Sequence, residues 1–181
     1  MHVKWPDIVS LLNKDKYCFA LADYPLLTLY DDNLFLRNDY DVLTTSQRRY
    51  IIRFFSNLGF KQRTGRSLIN QDCRIEFLKP QYLAQSAFKP ELLRFADNHY
   101  YCITPTLFAE CIFHTVNTQN ESTQMEKLAL LMEKAPFNMT LLKDINRTTS
   151  IRTLTKQYCD SINAHQKKLI ENKFKFRRGL S

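Results

Sequence analysis

The rhythm of apolar and polar positions changes partway along this 181-residue chain. Up to about residue 103, short apolar runs alternate with turn residues. From Thr104 on, apolar residues recur at intervals of three and four, the period of an amphipathic helix. Residues 6–15 have helical spacing, and Pro6 suits a first turn, where its missing N–H is not needed. Tyr17-Cys18-Phe19-Ala20-Leu21-Ala22 reads as a strand. Pro25 to Tyr30 reads as a short helix and Asp31-Asp32-Asn33 as a turn. Residues 39–43 read as a strand. Thr44-Thr45-Ser46 offers an N-cap to a helix over Gln47–Leu58, whose Tyr50, Ile51, Phe54, Phe55 and Leu58 share one stripe. Gly59 closes that helix. Phe60–Arg63 and Ser67–Asn70 form a hairpin about Thr64-Gly65-Arg66. Cys73–Leu78 is the next strand and Tyr100–Ile103 the last.

Thr104-Pro105 is an N-cap followed by proline at the first helical position. Helices are expected at 105–117, 122–134, 138–146 and 150–172. The last carries Ile151, Leu154, Tyr158, Ile162, His165 and Leu169 as an apolar stripe that must pack on something. The fold class is therefore α/β (α+β): a small mixed β-sheet with flanking helices, followed by a helical C-terminal half. The division falls at 1–103 and 104–181. Only 3 Gly and 6 Pro in the chain argue against a barrel or sandwich of many tight turns.

A net charge of +8 suggests a polyanionic partner. Five cysteines, with no Cys-x-x-Cys and mostly apolar neighbours, read as buried free thiols in a reducing compartment. The N-terminal residues lack the pattern of a signal peptide, and no apolar run reaches the roughly 18 residues that span a bilayer. The expectation is a cytoplasmic protein without a membrane partner.

The chemistry concentrates in Arg37-Asn38-Asp39-Tyr40-Asp41 and in Arg74-Ile75-Glu76-Phe77-Leu78. Side chains alternate along a strand, so Asp39 and Asp41 share a face. Two adjacent like charges call for a cation between them. With Glu76 as a third carboxylate, they would form a Mg²⁺ site for phosphoryl or nucleotidyl transfer. The bland reading makes the two aspartates ordinary loop acids, and Glu76 a surface residue paired with Arg63 or Arg74.

The order of these landmarks resembles the nucleotidyltransferase superfamily, the polymerase-β-like fold. In particular it looks like the small bacterial nucleotidyltransferase-like proteins of toxin–antitoxin and abortive-infection systems. Arg37-Asn38-Asp39-Tyr40-Asp41 matches that group's arginine and paired acids, and Leu58-Gly59-Phe60 its helix end. Ile75-Glu76-Phe77-Leu78 matches the third-carboxylate strand, with Glu for Asp. Ile103-Thr104-Pro105-Thr106 matches the start of the helical half. The resemblance covers roughly residues 17–145.

It implies Asp39, Asp41 and Glu76 as catalytic and Mg²⁺-holding residues, with Glu76 also available as general base. Arg37, Arg63 and Arg66 would serve a nucleotide triphosphate, and RNA or protein would be the acceptor. The chain departs from the pattern at Ala22-Asp23-Tyr24-Pro25, where the group has a glycine pair or Gly-Ser. Those small residues let backbone N–H groups cradle phosphate. Asp23 repels phosphate and Pro25 has no N–H. The reading therefore includes a catalytically degenerate relative. The alternative is a non-enzymatic nucleic-acid-binding or regulatory inhibitor protein of a bacterial defence or mobile-element system, with a cognate protein partner.

Two further groups stand out. His99-x-x-Cys102 and Cys111-x-x-His114 supply four zinc-type donors, but their spacing is short for a knuckle, so zinc is not expected. The tail sets Lys167, Lys168, Lys173, Lys175, Arg177 and Arg178 among Phe174 and Phe176, a mixture suited to nucleic-acid contact or to a solvated helix end. Arg48, Arg49, Arg53, Lys61, Arg63 and Arg66 make a second basic region, which would steer an acceptor if it flanked the acids.

Overall fold

A computed structural model describes residues 4–31, 42–78, 98–145 and 149–174. Helix α1 (Trp5–Lys14) leads into β1 (Cys18–Ala20) and β2 (Leu26–Leu29). Helix α2 (Thr45–Asn57) precedes β3 (Lys61–Thr64), β4 (Ser67–Asn70), β5 (Cys73–Phe77) and β6 (His99–Cys102). The helical half comprises α3 (Pro105–His114), α4 (Glu121–Lys134), α5 (Met139–Ile145) and α6 (Thr149–Leu169), which runs into a single π-helical turn, Ile170–Phe174. The fold is α/β: one mixed sheet with flanking helices and a helical C-terminal half. Among the described residues no helix is long and apolar enough to cross a membrane.

The six strands lie in the order β1-β2-β6-β5-β4-β3. β1 pairs antiparallel with β2, and β3, β4 and β5 form an antiparallel run. β6 joins the two groups, running parallel to both β2 and β5. The segment expected as a helix at 25–30 is thus a strand. Leu26-Leu27-Thr28-Leu29 is buried at every position, because β2 has a core on each face. A short run that is apolar throughout has no period to separate helix from strand. The β1 edge is blunted by Asn13, whose amide exchanges two hydrogen bonds with the Ala20 backbone (2.9 and 3.0 Å).

Alternation along the strands sends side chains to two cores. One lies under α1 and α2 and takes Ile8, Leu12, Leu27, Ile51, Phe55, Leu68 and Ile75. The other lies under the helical half and takes Phe19 and Leu26 from the sheet, with Phe108, Phe113 and Leu131 from the helices.

Helix α2 is capped at both ends as its sequence indicates. Thr44 and Gln47 form a capping box. At the other end Gly59 N–H donates to Ser56 O and Phe60 N–H to Phe55 O, both at 3.0 Å. Gly59 takes φ +82°, and the Phe55 and Phe60 rings meet edge to face at 5.0 Å. This is a complete Schellman ending with its apolar contact.

Helix α6 packs Leu154, Tyr158, Ile162 and Leu169 of the expected stripe on the core under the helical half, but not His165, and its deepest positions include polar ones. Thr155, Cys159, Ile162 and Gln166 are buried, while His165 is exposed. The reason is Gln166, which accepts from Phe137 N–H (2.7 Å) and donates to Phe137 O (2.9 Å). That amide pair fixes the α4–α5 connection to α6 and turns the helix toward its polar residue.

Two substitutions test these devices. Gln166→Leu strands the buried Phe137 N–H, while Phe137 O keeps the bond from Met139 N–H at 3.1 Å, and should destabilise by about 2 kcal/mol. Gly59→Ala meets only Asn70 Nδ2, at 3.6 Å, so its cost is conformational. It should be about 1 kcal/mol, seen as a lower urea midpoint at unchanged slope.

Candidate active site around Glu76

Strand alternation decides what β5 and β6 present. Cys73, Ile75 and Phe77 enter the α1/α2 core, so Arg74 and Glu76 take the opposite face. Across the parallel pair, Arg74 stands opposite His99, and Glu76 opposite Tyr101. On the other side of β5, Ile69 stands opposite Arg74 and Ser67 opposite Glu76. β3 adds Lys61 opposite Ile69 and Thr64 opposite Ser67. Partners in register share a face. Two rows therefore cross four strands: Lys61, Ile69, Arg74 and His99, then Thr64, Ser67, Glu76 and Tyr101.

Glu76 is the centre of this face. Its Oε2 lies 2.9 Å from His99 Nε2 and 3.4 Å from Arg74 Nη2. An ionised carboxylate only accepts, so His99 donates through Nε2. The Tyr101 ring stacks on His99 at 4.6 Å and holds its plane. Glu76 is 26% exposed, His99 19% and Arg74 45%, so the carboxylate is oriented but not sealed from solvent. Glu76 Oε1 has no partner among the described residues. A carboxylate held by one oxygen can offer the other to a hard cation or to a hydroxyl proton.

Arg37, Asp39 and Asp41 lie outside the described residues, as do Lys175, Arg177 and Arg178. Arg63 is exposed at a bulge in β3. Arg66 is exposed in the β3–β4 turn, and its carbonyl accepts from Phe77 N–H at 2.8 Å, next to Glu76. Lys167 and Lys168 are exposed at the end of α6, and Lys173 pairs with Glu133 of α4. The ion pair expected for Glu76 forms along its own strand, with Arg74. His99 is the residue that strand-by-strand reading missed. Its signal was the alternation of His99 and Tyr101, but only the parallel register to β5 gives it a partner.

The four zinc-type donors do not converge. Cys102 is buried in the α1/α2 core and Cys111 in the core under the helical half. Cys111 Sγ donates to Leu107 O at 3.0 Å, and His114 lies 3.8 Å from Glu110 on its own helix. His99 is engaged by Glu76.

The loop at Ala22-Asp23-Tyr24-Pro25 is fastened rather than open. Tyr24 is buried, and its hydroxyl meets Thr115 Oγ1 at 2.7 Å and Gln124 Oε1 at 3.2 Å. Asp23 pairs with Lys127, which also lies over the Tyr24 ring. Pro25 O accepts from Tyr101 N–H at 2.8 Å, tying the loop to the strand beside Glu76. Comparison of the chain with protein-family models, curated proteins and solved structures gives no match.

All five thiols are free and buried. Burial pushes the Cys73 thiol up to about 11 and raises Cys18, Cys102 and Cys111 as well. The thiolate is the reactive form, so a raised pKa means slow reaction below it. A disulfide exchange reagent at pH 8 should label the native protein slowly and all five cysteines at once after denaturation. A chelator should leave the native rate unchanged.

Proposed function

We propose that the chain is a nucleotidyltransferase-like protein that moves a nucleotide from a triphosphate to RNA or protein. The observation that carries this reading is the Glu76 carboxylate, displayed on a strand face by alternation and oriented by His99 at 2.9 Å. Two landmarks of the resemblance support it. The Leu58-Gly59-Phe60 helix end is a Schellman turn, and Thr104 caps α3 ahead of Pro105. Available oxygen at Glu76 suits a hard cation. Asp39, Asp41 and Glu76 would hold Mg²⁺, which would neutralise the triphosphate and activate the attacking hydroxyl.

In this reading the chain's own residues do the positioning. His99 and Arg74 fix one oxygen of Glu76, and the other has no partner among the described residues. Glu76 accepts the proton of the attacking hydroxyl. Arg66 in the adjacent turn, with Arg37 and Arg63, answers the negative charge of the phosphates. Free thiols fit a cytoplasmic site of action, and the defence or toxin–antitoxin setting is proposed from the resemblance alone.

One observation favours a second reading, a relative that binds without turnover. Where the resembled group has its glycine pair, Tyr24 fills the space against Phe108 and is locked by Thr115 and Gln124. Asp23 adds a carboxylate to a position that would face phosphate.

Labelled nucleoside triphosphates with Mg²⁺ separate the two. A working transferase shows metal-dependent label transfer that Asp39→Ala/Asp41→Ala abolishes and Glu76→Gln lowers about 100-fold or more, the scale of a lost general base. His99→Ala should lower the rate less than Glu76→Gln, and His99→Gln, which can still donate, should recover part of the loss. Absence of both transfer and nucleotide binding in the wild type favours the non-catalytic reading.

A further inference from the structure

Residues 42–71, thirty in a row, contain no Asp or Glu. They contain Arg48, Arg49, Arg53, Lys61, Arg63 and Arg66. All 18 acids of the chain lie elsewhere in the sequence, so this stretch carries six cations and no acid in a chain whose net charge is +8. The fold gathers them. Arg49 and Arg53 lie one turn apart on the exposed side of α2. Arg48, beside them, crosses the Phe77 ring and donates to Gly65 O in the β3–β4 turn. Lys61, Arg63 and Arg66 are exposed on β3 and in that same turn.

Some cations elsewhere pair with carboxylates and others, such as Lys156, Lys167 and Lys168, have no such pair among the described residues, so it is the clustering that sets this surface apart. Lys127 meets Asp23, Lys173 meets Glu133, and Arg74 meets Glu76. Arg49, Lys61, Arg63 and Arg66 have no carboxylate partner among the described residues. Such a surface repels itself and collects counterions, and a polyanion gains by releasing them. β3 is also the outermost strand, so this surface surrounds a sheet edge that no described strand covers.

We propose that the surface formed by α2, β3 and the β3–β4 turn binds the sugar–phosphate backbone of a single-stranded nucleic acid, and that this strand is the acceptor presented to Glu76. The register supports the direction. Arg66 O is bonded to Phe77 N–H, Ser67 stands opposite Glu76, and Lys61 ends the row that carries Arg74 and His99. α2 packs on the face opposite Glu76, so a strand held there reaches the carboxylate by rounding the β3 edge, where Lys61 and Thr64 share the face of Glu76 two strands away. The binding end of the proposal stands on charge, and its acceptor end rests on the transferase reading.

The test is binding of a labelled 20-nucleotide RNA and its DNA counterpart over 50–200 mM salt, with polyglutamate as competitor. Four phosphate contacts on a single strand predict a log–log salt slope of about −3, so binding weakens roughly 50-fold over that range. Arg49→Ala/Arg63→Ala/Arg66→Ala removes three contacts and should flatten the slope by about 2. These residues are exposed, and an unchanged melting curve verifies that the variant is folded. A preference between the RNA and the DNA identifies the sugar.

Glu76→Gln should bind like the wild type even where it transfers nothing, which keeps this result separate from the fate of the transferase reading. Binding that the triple variant retains, or that only Lys167→Ala/Lys168→Ala reduces, overturns the proposal. So does an absence of binding at 50 mM salt. Polyglutamate competing as well as the RNA would overturn it too, and would mark the surface as a dock for an acidic protein.

Discussion

The pairing of β6 with both β2 and β5 is the constraint on which the rest of the structure depends. β1–β2 is an antiparallel hairpin and β3–β4–β5 an antiparallel run, and neither makes a sheet with two packed faces by itself. β6 is parallel to both neighbours, so each pairing spans a long stretch of chain rather than a tight turn. Once β6 is in place, register determines which residues share a face. Leu26, Tyr101, Glu76 and Ser67 fall in one row, and His99, Arg74 and Ile69 in the next.

That row explains why apolar and polar chemistry meet on a single face. At its β2 end the face is closed by Phe108 and Leu131 of the helical half, which pack with Phe19 and Leu26. Toward β4 and β3 it carries Glu76, Arg74 and Lys61 instead. Tyr101 stands at the boundary, packed against the helical core on one side and stacked on His99 on the other. The helical half in turn is held together by specific polar pairs. Gln166 binds both backbone groups of Phe137, and Lys134 donates to Asn13 O and Asp15 O at the end of α1. A buried polar pair that is fully satisfied selects one arrangement among several that apolar packing alone would allow.

Local signals made much of this legible in the sequence. The N-cap at Thr44, the glycine after α2, the Thr104-Pro105 start of α3 and the β3–β4 turn all use neighbouring residues, and each formed where the sequence indicated. The failures have a common cause in tertiary context. Leu26–Leu29 has no period because both of its faces are buried, so length and composition could not separate helix from strand. The apolar stripe of α6 packs as read at Leu154, Tyr158, Ile162 and Leu169, but reading by apolarity admitted the exposed His165 and passed over Gln166, which is buried for its hydrogen bonds. At the candidate site Glu76 and its bond to Arg74 are local and were readable. His99 reaches Glu76 from a strand 23 residues on, and no pattern within either strand announces the parallel register that joins them.

The two ends of the candidate site pull in different directions, and β6 connects them. On one edge Tyr101 N–H bonds Pro25 O of the Ala22-Asp23-Tyr24-Pro25 loop, and on the other Tyr101 stands opposite Glu76. Neighbouring strands lie about 4.8 Å apart, so loop and carboxylate are separated by roughly 10 Å, within the span of a nucleotide. Tyr24 and Asp23 make the loop end compact and acidic, whereas His99 and Arg74 make the carboxylate end ordered and charge-balanced. A carboxylate needed only for stability is served by the arginine two residues away on its own strand. Glu76 has in addition a histidine from a different strand, itself oriented by an aromatic ring. Orienting one oxygen so fully, while the other has no partner among the described residues, is the physical ground for reading this face as a site.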